Sequence, residues 1–309
     1  MTAAGNIRHR RARRRERRWR MPWLAFSTAF VFLLGATVLL APTIANWFSQ
    51  VEQAGELTRL SDGVHDLGAR TRAAAVADAR AYNATLVGGA VVAADARLPV
   101  PSEDLVGGTV DSSGLVYDEL LRADGLGLMA RIKIPVIGVD LPVFHGTDDA
   151  TLEEGVGHLE GTALPVGGVG TRAVLTAHRG LATSELFTNL DRVELGDTFT
   201  IEVFGEVLSY RVVGTEVVDP SDSRALYPDA NRDLVTLVTC TPLGINSHRI
   251  LVTGERVLPT PARDVADAGG PPTIPGFPWW MVILGAVLVI DVVYVGLSGR
   301  QRKAHAPAA

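Results

Sequence analysis

Two apolar runs constrain this chain more than any other feature. From Pro22 to Phe48 the sequence PWLAFSTAFVFLLGATVLLAPTIANWF carries no charge. At ~1.5 Å per residue a helix of that length crosses a ~30 Å hydrocarbon core. A second run, WWMVILGAVLVIDVVYVGL from Trp279 to Leu297, contains only Asp291 as a charged residue. Whatever soluble domain the chain builds therefore comes from residues 49–278, between two spans.

The flanks predict the topology. Arg8, Arg10, Arg11, Arg13, Arg14, Arg15, Arg17, Arg18 and Arg20 precede the first run, and Arg300, Arg302 and Lys303 follow the second. Basic residues are retained on the cytoplasmic side, and the tryptophans Trp19, Trp23 and Trp47 suit the two interfaces. The expectation is a two-pass plasma-membrane protein with both termini cytoplasmic and the intervening domain extracellular. A cleaved signal peptide is the competing reading, but its apolar region spans only ~7–15 residues. Asp291, with no basic partner in its own segment, is expected near the cytoplasmic interface. With those arginines, the tail cations and Glu16 set aside, 17 basic residues face 33 acidic ones. That balance argues against nucleic acid as a partner of the outer domain.

Composition divides the rest. Residues 1–21 are a basic tail and 22–48 the first span. Residues 49–90 are rich in Ala, Arg, Glu and Asp and predict a helical stalk. Prolines and paired glycines in 91–113 mark a loop, so 49–116 reads as stalk plus lid-like loop. From Leu128 onward, short Val-, Ile- and Thr-rich runs alternate with Gly, Pro and Asp turns, predicting an all-β barrel or sandwich. Helical insertions are expected near 151–155 and 184–190. The β domain is placed at 117–257, a Pro/Gly-rich linker at 258–278, the second span at 279–297 and a cytoplasmic tail at 298–309.

Cys240 is the only cysteine of the chain, so no intramolecular disulfide forms and an exported lone thiol needs another explanation. A buried small hydrophobe is the plain one. Cys240, however, ends the strand-like run LVTLVTC just before a Pro- and Gly-containing turn, and Arg249 opens the next run nine residues later. A hairpin return brings those two side chains together. His178 closes a third run, GTRAVLTAH. An imidazole that takes the thiol proton makes the nucleophilic thiolate, and a guanidinium supplies fixed donors to a developing oxyanion. With 7 histidines in the chain, this trio alone is weak.

The local strings add specificity. TLVTCTPLGINSHRILVTGERV, Thr236 to Val257, resembles the TLxTC motif and following arginine strand of sortases, and TAHRGL around His178 resembles their histidine motif. The resemblance extends back through IPVIGVDLPVFHGTDDATLEEGVGHLEGTALPVGG and covers residues 117–257. It implies an eight-stranded sortase-type β-barrel with short helices, catalytic roles for His178, Cys240 and Arg249, and no metal or organic cofactor. It implies cleavage of an LPxTG-like sorting signal between Thr and Gly, a thioester on Cys240, and transfer to an amine. The second span and the long segment before the barrel resemble class C sortases, whose acceptor is a pilin lysine. Their usual DPW- or DPF-like lid motif is missing from 91–113. The alternatives are a sortase that anchors surface proteins to a cell-wall precursor amine, and a catalytically silent scaffold. Within 91–113, Leu98 and Pro99 echo the start of a sorting signal and are a candidate pseudosubstrate lid. Thr239, a β-favouring strand residue in its own right, is by resemblance a lining residue of the substrate groove.

Other candidates carry plainer readings. His145 and His158 are expected to be satisfied at the surface or in loops. His248 is expected to alternate away from Arg249 and the thiol. The DPSDS stretch at 219–223 reads as a turn rather than a cation loop, because it lacks ordered ligand spacing.

Overall fold

The computed structural model describes Trp19 and residues 21–87, 115–123, 127–222 and 224–300. Leu98 and Pro99, the candidate lid pair, lie outside the described residues. The chain divides into two compact units, Met1–Ala41 with Phe277–Ala309, and Pro42–Gly276.

Two helices among the described residues are long and apolar enough to cross a membrane: α1, Trp23–Asp66, and α5, Trp279–Ser298 (below). In the apolar part of α1, the hydroxyls of Ser27, Thr28 and Thr37 donate to the carbonyls of Trp23, Leu24 and Leu33. Each of these three hydroxyls is thus satisfied on its own helix, which is what an apolar surrounding requires. Asp291 is buried within the first unit, as are Ala25 and Ala29.

The second unit is built on a closed eight-stranded barrel. The strands are β1 Leu128–Ile134, β2 Val139–His145, β3 Val156–His158, β4 Arg172–Thr176, β5 Thr198–Val203, β6 Glu206–Val218, β7 Leu234–Thr241 and β8 His248–Arg256. Around the barrel they run β1-β2-β3-β4-β7-β8-β6-β5, and β5 closes onto β1. β2 with β3 and β4 with β7 are parallel; the other pairs are antiparallel.

Alternation along the strands decides which side chains fill the barrel. Ala173 and Leu175 of β4, Val235 and Leu237 of β7, and Ile250 and Val252 of β8 join the main core with Ile132, Phe199, Ile201 and Tyr210. The alternate residues Val174, Val238 and Leu251 form a second cluster on the opposite face with Leu226. β7 is buried on both faces along most of its length, and it carries apolar residues at both parities, Leu234 and Val238 on one and Val235 and Leu237 on the other. Gly254 sits where a Cβ would run into the Phe199 ring, which stacks on Tyr210 with centroids 5.4 Å apart. A glycine there lets the two rings lie against the strand.

Three connections depart from the sequence expectations. The expected stalk is helical, but α2, Ala69–Val87, is docked rather than free: Val76, Ala79 and Tyr82 belong to the barrel's main core. Asn83 of α2 is buried, donating from Nδ2 to Leu164 O at 2.9 Å and accepting from Leu164 N at 2.7 Å. Of the two helical insertions, the first is α3, Asp149–Glu154, capped by Asp148, whose carboxylate accepts from Thr151 N at 2.8 Å. The second is a series of turns ending in a 3₁₀ turn, Leu190–Arg192.

The 258–276 segment is a strap rather than a free linker. It contains a short α4, Ala262–Ala266, and is bonded across the barrel wall. Ser209 donates to Asp264, Gly269 N to Glu202, Arg131 to Gly270 O, and Thr273 N to Asp140. The strap ends where Gly276 O accepts from Trp47 Nε1 of α1 at 3.0 Å.

Candidate active site

The barrel topology brings the three candidate residues to one end and one face. Cys240 and Arg249 are direct cross-strand partners in the β7–β8 ladder. β4 lies on the other side of β7, in parallel register, with Thr176 opposite Val238. Ala177 N continues the ladder by donating to Val238 O at 3.2 Å. His178, two residues beyond the last paired residue of β4, therefore reaches the level of Cys240, two residues beyond Val238. Residues 174, 176 and 178 share a face, as do 238 and 240, and 249 and 251. Val174, Val238 and Leu251 are the apolar cluster on that face, so thiol, imidazole and guanidinium stand at its end.

That apolar floor was not legible as a site residue by residue. Val174, Leu226, Val238 and Leu251 are buried together, with Leu159, Val218 and Ala225 packed against them. Leu226 comes from the 3₁₀ turn Arg224–Leu226 in the β6–β7 connection. The available sequence signal was that β4 and β7 are apolar at both parities, which calls for cover on both faces. The structure supplies that cover from a loop.

Each polar group has a distinct setting. Cys240 is free and half-buried. His178 is half-buried, and its carbonyl accepts from Phe187 N at 3.2 Å. Arg249 is buried; its Nη1 donates to Asn246 O at 2.8 Å and to His248 O at 3.0 Å. A carbonyl of the β7–β8 turn and one at the start of β8 thus hold Nη1. Its Nε is buried, with no hydrogen-bond partner among the described residues. A buried, uncommitted donor on a permanent cation is costly to leave unmet, and it is suited to an acceptor that arrives with substrate.

Thr239 lies on the opposite parity from Cys240. It is buried, and its hydroxyl donates to Ala177 O at 2.8 Å, tying the cysteine strand to the histidine strand.

The other histidines separate from the site. His248 pairs with Thr241 across the ladder and is exposed, its Nδ1 2.9 Å from Ser247 Oγ. His145 bonds the carbonyls of Gly127 and Leu120, a loop role, and burial lowers its pKa. His158 departs from the surface or loop expectation: it is fully buried in β3. Its Nε2 lies 2.8 Å from Ala163 O and its Nδ1 2.9 Å from Tyr117 Oη. Burial lowers its pKa to about 4. Because Nε2 faces a carbonyl it carries the proton, and Nδ1 accepts from the tyrosine. In the 219–223 stretch, Asp219 accepts from Ser221 N and Ser221 Oγ, which is turn chemistry.

Comparison with known proteins gives a consistent picture. A family model described as "Sortase domain" matches residues 132–257. A curated relative, sortase D of Bacillus subtilis, is 30% identical over 167 residues, which is 53% of this chain and 81% of the relative. Among solved structures, a lid mutant of sortase A from Corynebacterium diphtheriae is 41% identical with a TM-score of 0.54, covering 63% of this chain and 97% of that one. Sortase C-1 from Actinomyces oris is 45% identical with a TM-score of 0.53, covering 61% and 98%.

Proposed function

This chain belongs to the sortase family of cysteine transpeptidases, and on that premise we propose that it assembles pili, joining an LPxTG-like sorting signal to a lysine amine of a pilin. The observation that carries the reading is the cross-strand pair of Cys240 and Arg249 with His178 beside it, at the end of an apolar floor.

In this reading the Cys240 thiolate attacks the Thr carbonyl of the signal, paired with the His178 imidazolium. The oxyanion takes a hydrogen bond from Arg249, whose Nε is free to donate. The Thr–Gly C–N bond breaks as His178 protonates the leaving amine, and a thioester remains on Cys240. An acceptor amine then attacks the thioester and yields its proton to His178. An amide forms and the thiolate leaves. The cluster of Val174, Leu226, Val238 and Leu251, already buried beneath the β6–β7 connection, anchors that connection beside the thiol. Thr239 acts from beneath, holding the two strands together rather than touching substrate. The two apolar helices and their basic flanks support a two-pass anchor with the barrel outside.

The choice of a pilin lysine rests on the second span and on the likeness to sortase C-1. A cell-wall precursor amine is the competing acceptor, favoured by the missing DPW- or DPF-like motif. Full-length protein in detergent, given an LPxTG-type peptide and a lysine-bearing pilin fragment, is expected to form a lysine isopeptide detectable by mass spectrometry. Cys240→Ala and His178→Ala should each abolish it. Products on a glycine or cell-wall-type amine alone would move the acceptor assignment to anchoring. Turnover by Cys240→Ala would remove the mechanism.

A further inference from the structure

Beyond Val238 and Ala177 the parallel β4–β7 ladder stops, one step short of the two reacting side chains. What spans that gap is Arg179, the residue after His178. Its side chain is 9% exposed, and every nitrogen of the guanidinium is engaged. Nη1 donates to Thr241 Oγ1 at 2.8 Å, Nε to Thr188 O at 3.1 Å, and Nη2 meets Asp191 Oδ2 at 2.7 Å. Thr241 is the residue after Cys240. The neighbours of the imidazole and of the thiol are therefore joined directly to each other.

Both ends of this link are themselves fixed. Thr188 and Asp191 belong to the turns that follow His178. That loop is clasped back on itself by Phe187 N donating to His178 O at 3.2 Å and Gly180 N to Thr188 Oγ1 at 3.1 Å. A planar fork with several fixed donors can hold three acceptors from two chain segments at once, which an ammonium cannot do in the same geometry.

We propose that Arg179 is a positioning residue for the transpeptidation reaction: through Thr241 and Asp191 it sets the spacing and register of His178 relative to Cys240. It rests on the roles given above to those two residues. Arg179 touches no reacting atom. Its effect passes through the backbone that presents them, and small misplacements at this level are costly, ~100-fold for ~1 Å. Thr241 acquires a role by the same argument, as the receiver of the link on the cysteine side.

The test is a set of variants of the full-length protein in detergent, assayed for peptide cleavage with kcat and KM separated. Thr241→Val removes the acceptor at nearly constant shape and is expected to lower kcat about tenfold with KM within about twofold. Thr241→Ser keeps a hydroxyl and should restore most of the rate. Arg179→Ala should lower kcat about a hundredfold and Arg179→Lys by less, since one ammonium replaces only part of the fork. The double variant Arg179→Ala with Thr241→Val should be no slower than Arg179→Ala, because the two residues act as one unit. Denaturation midpoints of the two Thr241 variants should match wild type, which separates positioning from folding. A wild-type kcat for Thr241→Val, equal losses for the Ser and Val variants, or effects of Arg179→Ala and Thr241→Val that multiply would each overturn the proposal. Cleavage persisting in Cys240→Ala would instead strike the reading on which it rests.

Discussion

His158 illustrates what one residue's surroundings decide. Its sequence context, between Gly157 and Leu159, offers nothing to separate a surface imidazole from a core one. In the structure it is sealed under Tyr117, whose ring stacks on it with centroids 5.6 Å apart and whose hydroxyl also accepts from Gly146 N at 3.1 Å. A charged imidazolium has no place there, because Nδ1 already receives the tyrosine proton. Burial lowers the His158 pKa from 6.5 to about 4, so the unfolded chain binds a proton more readily than the folded one across that interval. Stability is therefore full above pH 6.5 and falls as pH drops from 6.5 toward 4, by at most about 3 kcal/mol. Urea midpoints recorded between pH 7.5 and 4.5 should show this slope, and His158→Gln should flatten it while lowering the midpoint at neutral pH. An unchanged slope would mean that other groups, His145 among them, carry the acid sensitivity. Cys240 and Arg249 could be read as candidates from one hairpin, and His178 from a short string of its own, where the setting of His158 could not, because such strings are local. Contacts such as Tyr117 to His158 join segments whose spacing carries no pattern.

The same division holds among the elements. The strands were visible as runs because alternation and β-branched residues are local properties, and β7 with β8 could be paired from one short turn. α2 was visible as a helix, but its docking was not. The residues it gives the core are Val76, Ala79 and Tyr82, and an alanine-rich face with one valine and one tyrosine looks much like a solvated helix. Asn83 supplies the specificity instead. Its amide meets both the N–H and the carbonyl of Leu164, like an extra rung of a sheet. Asn83→Ala would leave two buried backbone groups unmet, at ~1–3 kcal/mol each. We expect a total loss of about 2–6 kcal/mol in chemical denaturation, with faster amide exchange concentrated in α2. Loss of the same size without change in α2 exchange would show that α2 is held by its apolar face alone.

At the scale of the whole barrel unit, the strap ties the end of β8 back to α1. Its sequence, LPTPARDVADAGGPPTIPG, has the look of a flexible linker, since it offers neither period nor apolar face. Several of its bonds are made by backbone groups, Gly269 N, Gly270 O and Thr273 N, to barrel side chains, so the residue pattern of the strap reports them poorly. Arg131 and Asp140 are the anchor. Nε and Nη2 of Arg131 meet the two oxygens of Asp140 at 2.6 and 2.7 Å, with side chains 6% and 8% exposed. Nη1 reaches out to Gly270 O at 2.7 Å, and Asp140 in turn accepts from Thr273 N at 2.8 Å. Burial alone would raise the Asp140 carboxyl, but the hydrogen bonds and charge of Arg131, with that of Thr273, more than offset it and hold it below its ordinary range. By following this pair, the chain leaves β8, crosses β6, β5, β1 and β2, and returns to Trp47. Entry to and exit from the barrel unit thus lie side by side, at Trp47 and Gly276. Removing one partner of a buried pair strands the other, at ~3–5 kcal/mol. Arg131→Met should therefore lower stability by that amount and expose 258–276 to protease while the barrel is still folded. Arg131→Met with Asp140→Leu should recover part of the stability, because no charge is then left buried, yet leave the strap cleavable, because Gly270 O and Thr273 N have both lost their partners. A strap that stays resistant in the double variant would mean that Asp264 on Ser209 and Gly276 on Trp47 suffice to hold it, and the ion pair would then serve the barrel wall alone.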